Sequence, residues 1–394
     1  MRKALFLTLG MFTLGFDAYV VAGLLPDIGT TFKISDSQTG QAVTVFTLCY
    51  AIAAPIFATL LAGKPARRIL VLALAIFSVG NGASALAPNF PFLLIARAVA
   101  GVGAGLYSPL AAAAAASLVS EQKRGRALGM TLGGMSMGTV VGVPLGLIIA
   151  KHLGWHGTLG LITALGFIPM FGIAIWFPNF SASVPPSLRK RFAMMANGRV
   201  AATVGITFLT SIASLGLYTY MAPMLQDLAG VHNVTPYLWA WGVGGVVGSL
   251  FIGSLIDRTG RPGLLMGGIL ILLALSLFFL PLVIGIPVLV FLPFVVWGAT
   301  GWASQAPQQH RLLRLQPDHG PAAVALNSSA NYLGSSVGSA LGGIIMVAGL
   351  TPSQLPLVTG CVVIIALLGQ LGVLVLKNEQ KVLNQCKRNE NYWR

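Results

Sequence analysis

Apolar residues run along this chain in blocks of about 18 to 30 positions, separated by short clusters of charge, proline, glycine and asparagine. Cutting at those clusters predicts twelve spans, at 4–26, 38–62, 69–87, 91–118, 126–151, 156–177, 200–226, 235–256, 263–283, 287–314, 320–349 and 354–376. Each is long enough to cross a bilayer as a helix. In lipid every backbone N–H and C=O must be satisfied inside its own segment, so such blocks are read as helices. The alternating segments of about ten residues that mark a membrane barrel are absent. The first block follows Met1-Arg2-Lys3 and runs to about Pro26. It is too long for the apolar region of a signal peptide and reads as a retained crossing.

Charge then orients the spans. Of 24 Lys and Arg, 21 fall in one set of alternate loops or in the tail, leaving Lys33, Arg97 and Lys151. The positive-inside rule places both termini in the cytoplasm, which requires an even number of crossings. Only 8% of the residues are charged and the mean hydropathy is +0.83, so a water-soluble fold is excluded. The formal charge of +15 is therefore a topological signal and does not indicate nucleic-acid binding. Cys49, Cys361 and Cys386 suggest no disulfide framework or ligand set. The longest loop, 178–199, combines prolines and serines with the basic run 188–191. It suits a cytoplasmic linker with a short interfacial helix facing anionic lipid. The expected organisation is a first bundle at 1–177, the linker at 178–199, a second bundle at 200–376 and a basic cytoplasmic tail at 377–394.

The halves repeat one another. ATLLAGKPARR after span 2 aligns with IGSLIDRTGRP after span 8 at an offset of 194, matching Lys64 with Arg258 and Arg67 with Arg261. At an offset of 196, Gly138, Gly142 and Gly146 fall on Gly334, Gly338 and Gly342, while Gly105 and Ser108 fall on Gly301 and Ser304. Duplicated bundles around a central cavity are an architecture of secondary transporters. The expected fold is an all-α polytopic membrane protein with twelve transmembrane helices in two pseudo-symmetric six-helix bundles.

Four stretches carry a family resemblance: GFDAYVVAGLLPDI (15–28), RAVAGVGAG (97–105), GMSMGTVVGVPLG (134–146) and YTYMAPMLQ (218–226). In this order, with the duplication, they resemble the major facilitator superfamily. Within it they are similar to the twelve-span drug:proton antiporters, on the branch with sugar, arabinose and chloramphenicol efflux proteins. The second-half loop keeps that family's acidic pattern as Asp257-Arg258-Thr259-Gly260-Arg261, whereas the first half has Gly63 where the acid stands. The resemblance implies a bacterial inner-membrane, multi-pass protein. Its expected function is proton-coupled export of small lipophilic or sugar-like molecules by alternating access. Import by symport or facilitation shares the fold and remains the alternative.

Asp17 is the one acid well inside a predicted span, near the bilayer midplane at 1.5 Å per residue. A carboxylate there is costly and faces a pathway or a partner. Desolvation favours its neutral form, so it is a candidate for taking up and releasing protons; a purely structural ion pair is the competing reading. Arg97, about 10 Å into span 4, is the matching cation. Its alternative is snorkelling toward the outer headgroups. The stripe Gly134, Gly138, Gly142 and Gly146, with Pro144, permits close helix approach and is similar to the antiporter motif. Asp257, Arg258 and Arg261 complete the gating candidates. Candidate substrate residues are Tyr50, Asn81, Tyr107, Tyr218, Tyr220, Trp241, Trp302, Gln305, Asn327 and Asn331. Aromatic rings with uncharged polar groups suit a neutral or weakly cationic solute.

An enzyme is the rival class, but the motifs of intramembrane proteases are missing and all five histidines lie near span ends or in loops. No cofactor or metal is expected. The expected partners are a small-molecule substrate, protons and the lipid bilayer, with the chain acting as a monomer.

Overall fold

The computed structural model describes residues 2–61, 64–117, 124–178 and 188–390. Gly63, Lys123 and most of the expected linker lie outside the described residues. Among the described residues the chain is helical without strands. The first half comprises α1 (Arg2–Phe32), α2 (Asp36–Thr39), α3 (Gln41–Leu60), α4 (Ala66–Ala85), α5 (Phe90–Ser117), α6 (Arg124–Met137) and α7 (Val143–Trp176). A π-helical turn, Gly138–Gly142, joins α6 to α7. After α8 (Leu188–Ala193), the second half comprises α9 (Gly198–Thr219), α10 (Met221–Ala229), α11 (Thr235–Thr259), α12 (Pro262–Val283), α13 (Phe291–Ala303), α14 (Gln305–Leu315), α15 (Gly320–Val347) and α16 (Leu355–Glu390).

Among the described residues ten uninterrupted helical stretches are long and apolar enough to cross a membrane, and two features bring the crossings to twelve. The stretch Gly129–Trp176 is one of the ten, yet it makes two crossings. Gly134 lies against Thr8, Gly142 against Phe16 and Gly146 against Val20, so this chain climbs beside α1. Trp155 then bonds Thr31 at the far end of α1, and Gly172 returns to Phe6. The reversal is at Gly154, whose φ of 66° is a left-handed conformation that only glycine adopts without strain. The other addition is the pair α13 and α14, which together make the expected span 287–314 but are divided at Ser304.

Several boundaries differ from the sequence expectation. Pro26 does not end α1, which continues to Phe32. A single missing N–H is tolerated here, and the hydroxyls of Thr30 and Thr31 bond back to the Asp27 carbonyl beyond the proline. The expected span 200–226 is divided at Tyr220 into α9 and α10, and α16 runs well past 376.

The duplication reappears in the packing. In the first half α1 packs on α6 and α7, α3 and α4 pack on α5, and α4 packs on α7. In the second half α9 packs on α15, α11 and α12 pack on α13, and α12 packs on α16. The correspondence extends to single glycines. Gly138 abuts the Phe12 carbonyl and Gly334 abuts the Phe208 carbonyl, both pairs related by the same 196-residue offset.

Candidate functional site

Asp17 lies 15 residues from either end of α1, about 22 Å along the helix from each. Its depth is thus set by a helix longer than the sequence suggested. The carboxylate is fully buried, and so, nearly, is Arg97 of α5. An Arg97 terminal guanidinium nitrogen donates to Asp17 Oδ1 at 2.6 Å and to Asn81 Oδ1 at 3.2 Å. Asn81 Nδ2 of α4 in turn donates to Asp17 Oδ2 at 3.2 Å. The guanidinium also rests over the Phe46 ring of α3, 4.3 Å from its centroid. Four helices therefore meet on one ion pair. Burying two charges is costly unless their remaining donors and acceptors are satisfied, and the Asn81 amide serves both partners. Asn81 belongs to this triad rather than to a solute-facing wall. Arg97 points inward to Asp17 and does not snorkel.

Tyr19 follows Asp17 by two residues, so the helical repeat turns it about 200° away, to the opposite face of α1. There it meets the second half. Its ring centroid lies 5.4 Å from Tyr218, 5.7 Å from Trp241 and 6.5 Å from Trp302. Tyr218 donates its hydroxyl to the Tyr19 carbonyl at 3.2 Å. Tyr50 of α3 stacks across the interface on Tyr332 of α15 at 3.8 Å. Gln305 donates to Asn331 at 2.9 Å and accepts from Asn327 at 3.4 Å, so these three candidates form one polar group. The indole N–H groups of Trp241 and Trp302 and Oδ1 of Asn327 are buried without a hydrogen-bond partner. They leave two donors and one acceptor unpaired in this region.

Two candidates lie elsewhere. Tyr107 is packed inside the first half, where its hydroxyl donates to the Leu7 carbonyl at 3.2 Å and covers Gly10. Tyr220 reaches Ser339 near the face opposite the basic loops, donating to its carbonyl at 2.6 Å. Conversely, Tyr19, Tyr332 and Phe46 belong to these clusters and were not singled out in the sequence. Tyr19 was legible, because its spacing from Asp17 places it on the opposite face.

At mid-depth, the stripe on α6 and α7 meets α1 directly. A side chain at Gly138 would strike the Phe12 carbonyl, and at Gly142 or Gly146 the Phe16 ring. Pro144 lacks the N–H that an unbroken helix would direct to residue 140, and the wide turn Gly138–Gly142 lies immediately before it. Toward the face opposite the basic loops the halves are joined by hydroxyls. Ser37 donates to the Gly343 carbonyl at 2.8 Å, Thr44 to Ser339 Oγ at 2.9 Å, Ser336 to the Thr44 carbonyl at 3.0 Å and Ser339 to the Gly40 carbonyl at 3.2 Å. The two halves are thus closed on one another from mid-membrane to that face. There Ser353 bonds Asp227 through its side chain and, at 3.0 Å, through its backbone N–H, and these bonds hold the Asp227 carboxyl below its ordinary pKa. At the opposite face Asp257, Arg258 and Arg261 are all exposed around the end of α11, where Gly260 takes the left-handed cap at φ 62°.

The sequence profile of the Major Facilitator Superfamily matches residues 7–314. The uncharacterized MFS-type transporter YbcL of Bacillus subtilis is 30% identical over 87% of this chain and 88% of its own length. The inner membrane transport protein YdhP of Escherichia coli K12 is also 30% identical, over 92% and 93%. The probable sugar efflux transporter of Mannheimia succiniciproducens is 28% identical over 87% of each chain. Among solved structures, the xylose transporter XylE of E. coli, in a partially occluded inward-open conformation, superposes with a TM-score of 0.71. That match covers 93% of this chain and 97% of XylE at 18% identity, a likeness of fold. With its profile match, its duplicated twelve-crossing fold and these relatives, the chain belongs to the major facilitator superfamily and is a multi-pass membrane transporter.

Proposed function

We propose that this transporter exports small, neutral, lipophilic or sugar-like solutes in exchange for protons, alternating access between its two six-helix bundles. The observation that carries the reading is the buried Asp17–Asn81–Arg97 triad at the middle of α1. In this position Arg97 and an incoming proton compete for the one carboxylate. Neutralisation leaves Arg97 to Asn81 and loosens the grip of α4 and α5 on α1. The opposite face of α1 carries Tyr19, against Tyr218, Trp241 and Trp302. A shift of α1 along the glycine stripe therefore alters both the proton site and the aromatic wall. Coupling runs through the helix rather than through direct contact between proton and solute. The ligand and proton act only through their differing affinities for the two states.

The wall between the halves supports a neutral solute, since among the described residues its aromatic rings and unpaired indole donors are matched by no carboxylate there. Relatives described as a chloramphenicol resistance protein of Streptomyces lividans, 28% identical over 68% of this chain and 69% of that protein, and as the sugar efflux transporter above fit solutes of this kind. Proteoliposomes with an imposed pH gradient provide the test, using a panel of neutral lipophiles and sugars. Solute is expected to move against the proton flow. Solute moving with the protons would establish import instead, and transport indifferent to the gradient would remove the coupling.

In this reading Asp257, Arg258 and Arg261 latch the outward-facing state, through charge-assisted bonds made when the inner ends close. Their exposure fits a released latch. Asp257→Asn is expected to slow turnover several-fold with solute affinity nearly unchanged. A collapse of affinity with no change in the conformational equilibrium would refute the latch.

A further inference from the structure

Besides the central aromatic wall, a second cleft of about 610 Å³ separates the halves on the face that carries the basic loops. One wall is Ile52 of α3, from the first half; the other is Phe208 of α9 and Leu333 of α15, from the second. Ile52 and Phe208 lie within about three turns of the nearer ends of α3 and α9, at the depth of one lipid leaflet, and Leu333, midway along α15, closes the cleft at its deep end. Its lining is almost wholly carbon. Across its mouth lies α8, which contributes Arg191 and Phe192, with Arg189 and Lys190 exposed beside them. Gly205 forms a notch in the α9 wall, since a side chain there would meet nothing within 4 Å.

We infer that this cleft holds an anionic glycerophospholipid of the basic-side leaflet, with an acyl chain between α3 and α15 and the headgroup phosphate against the cations of α8. Three features point to this occupant. The cleft is lined by exposed apolar side chains, Ile52, Phe192 and Leu333 among them, as an acyl chain requires. Its rim is cationic, and the positive-inside asymmetry makes that side cytoplasmic, where the leaflet is negatively charged. Arg191 lines the cleft itself while Arg189 and Lys190 stand exposed beside it, so positive charge is gathered where a phosphate would lie. Because the walls belong to different halves, a lipid seated there stabilises the arrangement in which the basic-side ends stand apart.

The test uses purified full-length protein stripped of lipid in neutral detergent. It is titrated with phosphatidylglycerol or with phosphatidylcholine of the same acyl chains. Retained lipid is read by non-denaturing mass spectrometry and stabilisation by thermal unfolding. Wild type is expected to retain phosphatidylglycerol roughly tenfold more tightly than phosphatidylcholine, the size of one charge-assisted contact. Arg191→Gln should erase most of that preference. Gly205→Phe should abolish retention of both lipids while leaving unfolding in detergent alone unchanged, because the ring enters open space. Equal retention of the two lipids by wild type would overturn the headgroup assignment. Undiminished phosphatidylglycerol on Gly205→Phe would overturn the cleft assignment, as would a dimer that this substitution disperses.

Discussion

Replacing Asp17 by asparagine is expected to reduce proton-driven transport in proteoliposomes to the level of protein-free vesicles. The substitution removes the negative charge but keeps groups able to bond Arg97 and Asn81, so the triad's shape persists without its titration. It also leaves the Arg97 cation buried and uncompensated. Breaking such a pair from one side costs about 3–5 kcal/mol. Loss of transport by the single variant would therefore not separate coupling from folding. The double variant Asp17→Asn/Arg97→Gln does. Two neutral amides remove the stranded charge, and the double variant should recover most of the thermal stability the single variant loses. Proton-driven transport should stay absent, because no ionisable group remains in the triad. Solute binding should survive in both, since the aromatic wall occupies the other face of α1. Robust proton-driven export by the double variant would make the pair a structural fastening and place coupling elsewhere.

A second large effect is expected from a single carbon atom. In the crossing formed by α6 and the start of α7, Gly138→Ala puts a methyl against the Phe12 carbonyl, whereas at Gly133, five residues earlier, a methyl meets nothing within 4 Å. Alanine favours the helix over glycine by about 0.5–1 kcal/mol at either site. At Gly133 this gain stands alone, and the melting temperature should hold or rise. At Gly138 overpacking of typically 1–3 kcal/mol outweighs it, because backbone rather than a flexible side chain must move. The Gly138 variant should melt several degrees lower and transport more slowly, as α1 loses its sliding contact. Gly334→Ala, against the Phe208 carbonyl, should behave like Gly138→Ala by the internal symmetry. Equal behaviour of the Gly133 and Gly138 variants would show that the stripe bears no close contact.

Much of this was legible in the sequence, and the part that was not has a common cause. Hydropathy marks where a membrane helix lies, and charge asymmetry marks which way it runs. The isolated in-span acid and the isolated in-span arginine led to each other because each was the other's obvious remedy. Hydropathy does not fix the rotation of an almost uniformly apolar helix about its axis. Asn81 was therefore grouped with solute-facing residues, although α4 turns it toward Asp17. Tyr107 was misplaced for the same reason, since Gly10 provides a seat for its ring that only packing reveals. The end of α1 was set six residues early by treating Pro26 as a terminator, when a proline near the outer turns costs only one backbone bond. The divisions at Tyr220 and Ser304 carry no sequence signal strong enough to separate them from continuous helix.

The closure opposite the basic loops has an energetic consequence. Its four cross-half bonds, from Ser37, Thr44, Ser336 and Ser339, involve hydroxyls and carbonyls and no formal charge. At about 0.5–1.5 kcal/mol net for each, they amount to roughly 2–6 kcal/mol. A ligand needs about 5.5 kcal/mol of preference to carry a two-state equilibrium from one side to the other. The closure is thus strong enough to hold and weak enough for one bound solute or proton to release. Neutral contacts are also almost untouched by ionic screening, which attenuates exposed ion pairs over about 8–10 Å at physiological salt. A lock made of hydroxyls keeps the same strength in dilute and in saline surroundings, whatever the ions on either side of the membrane.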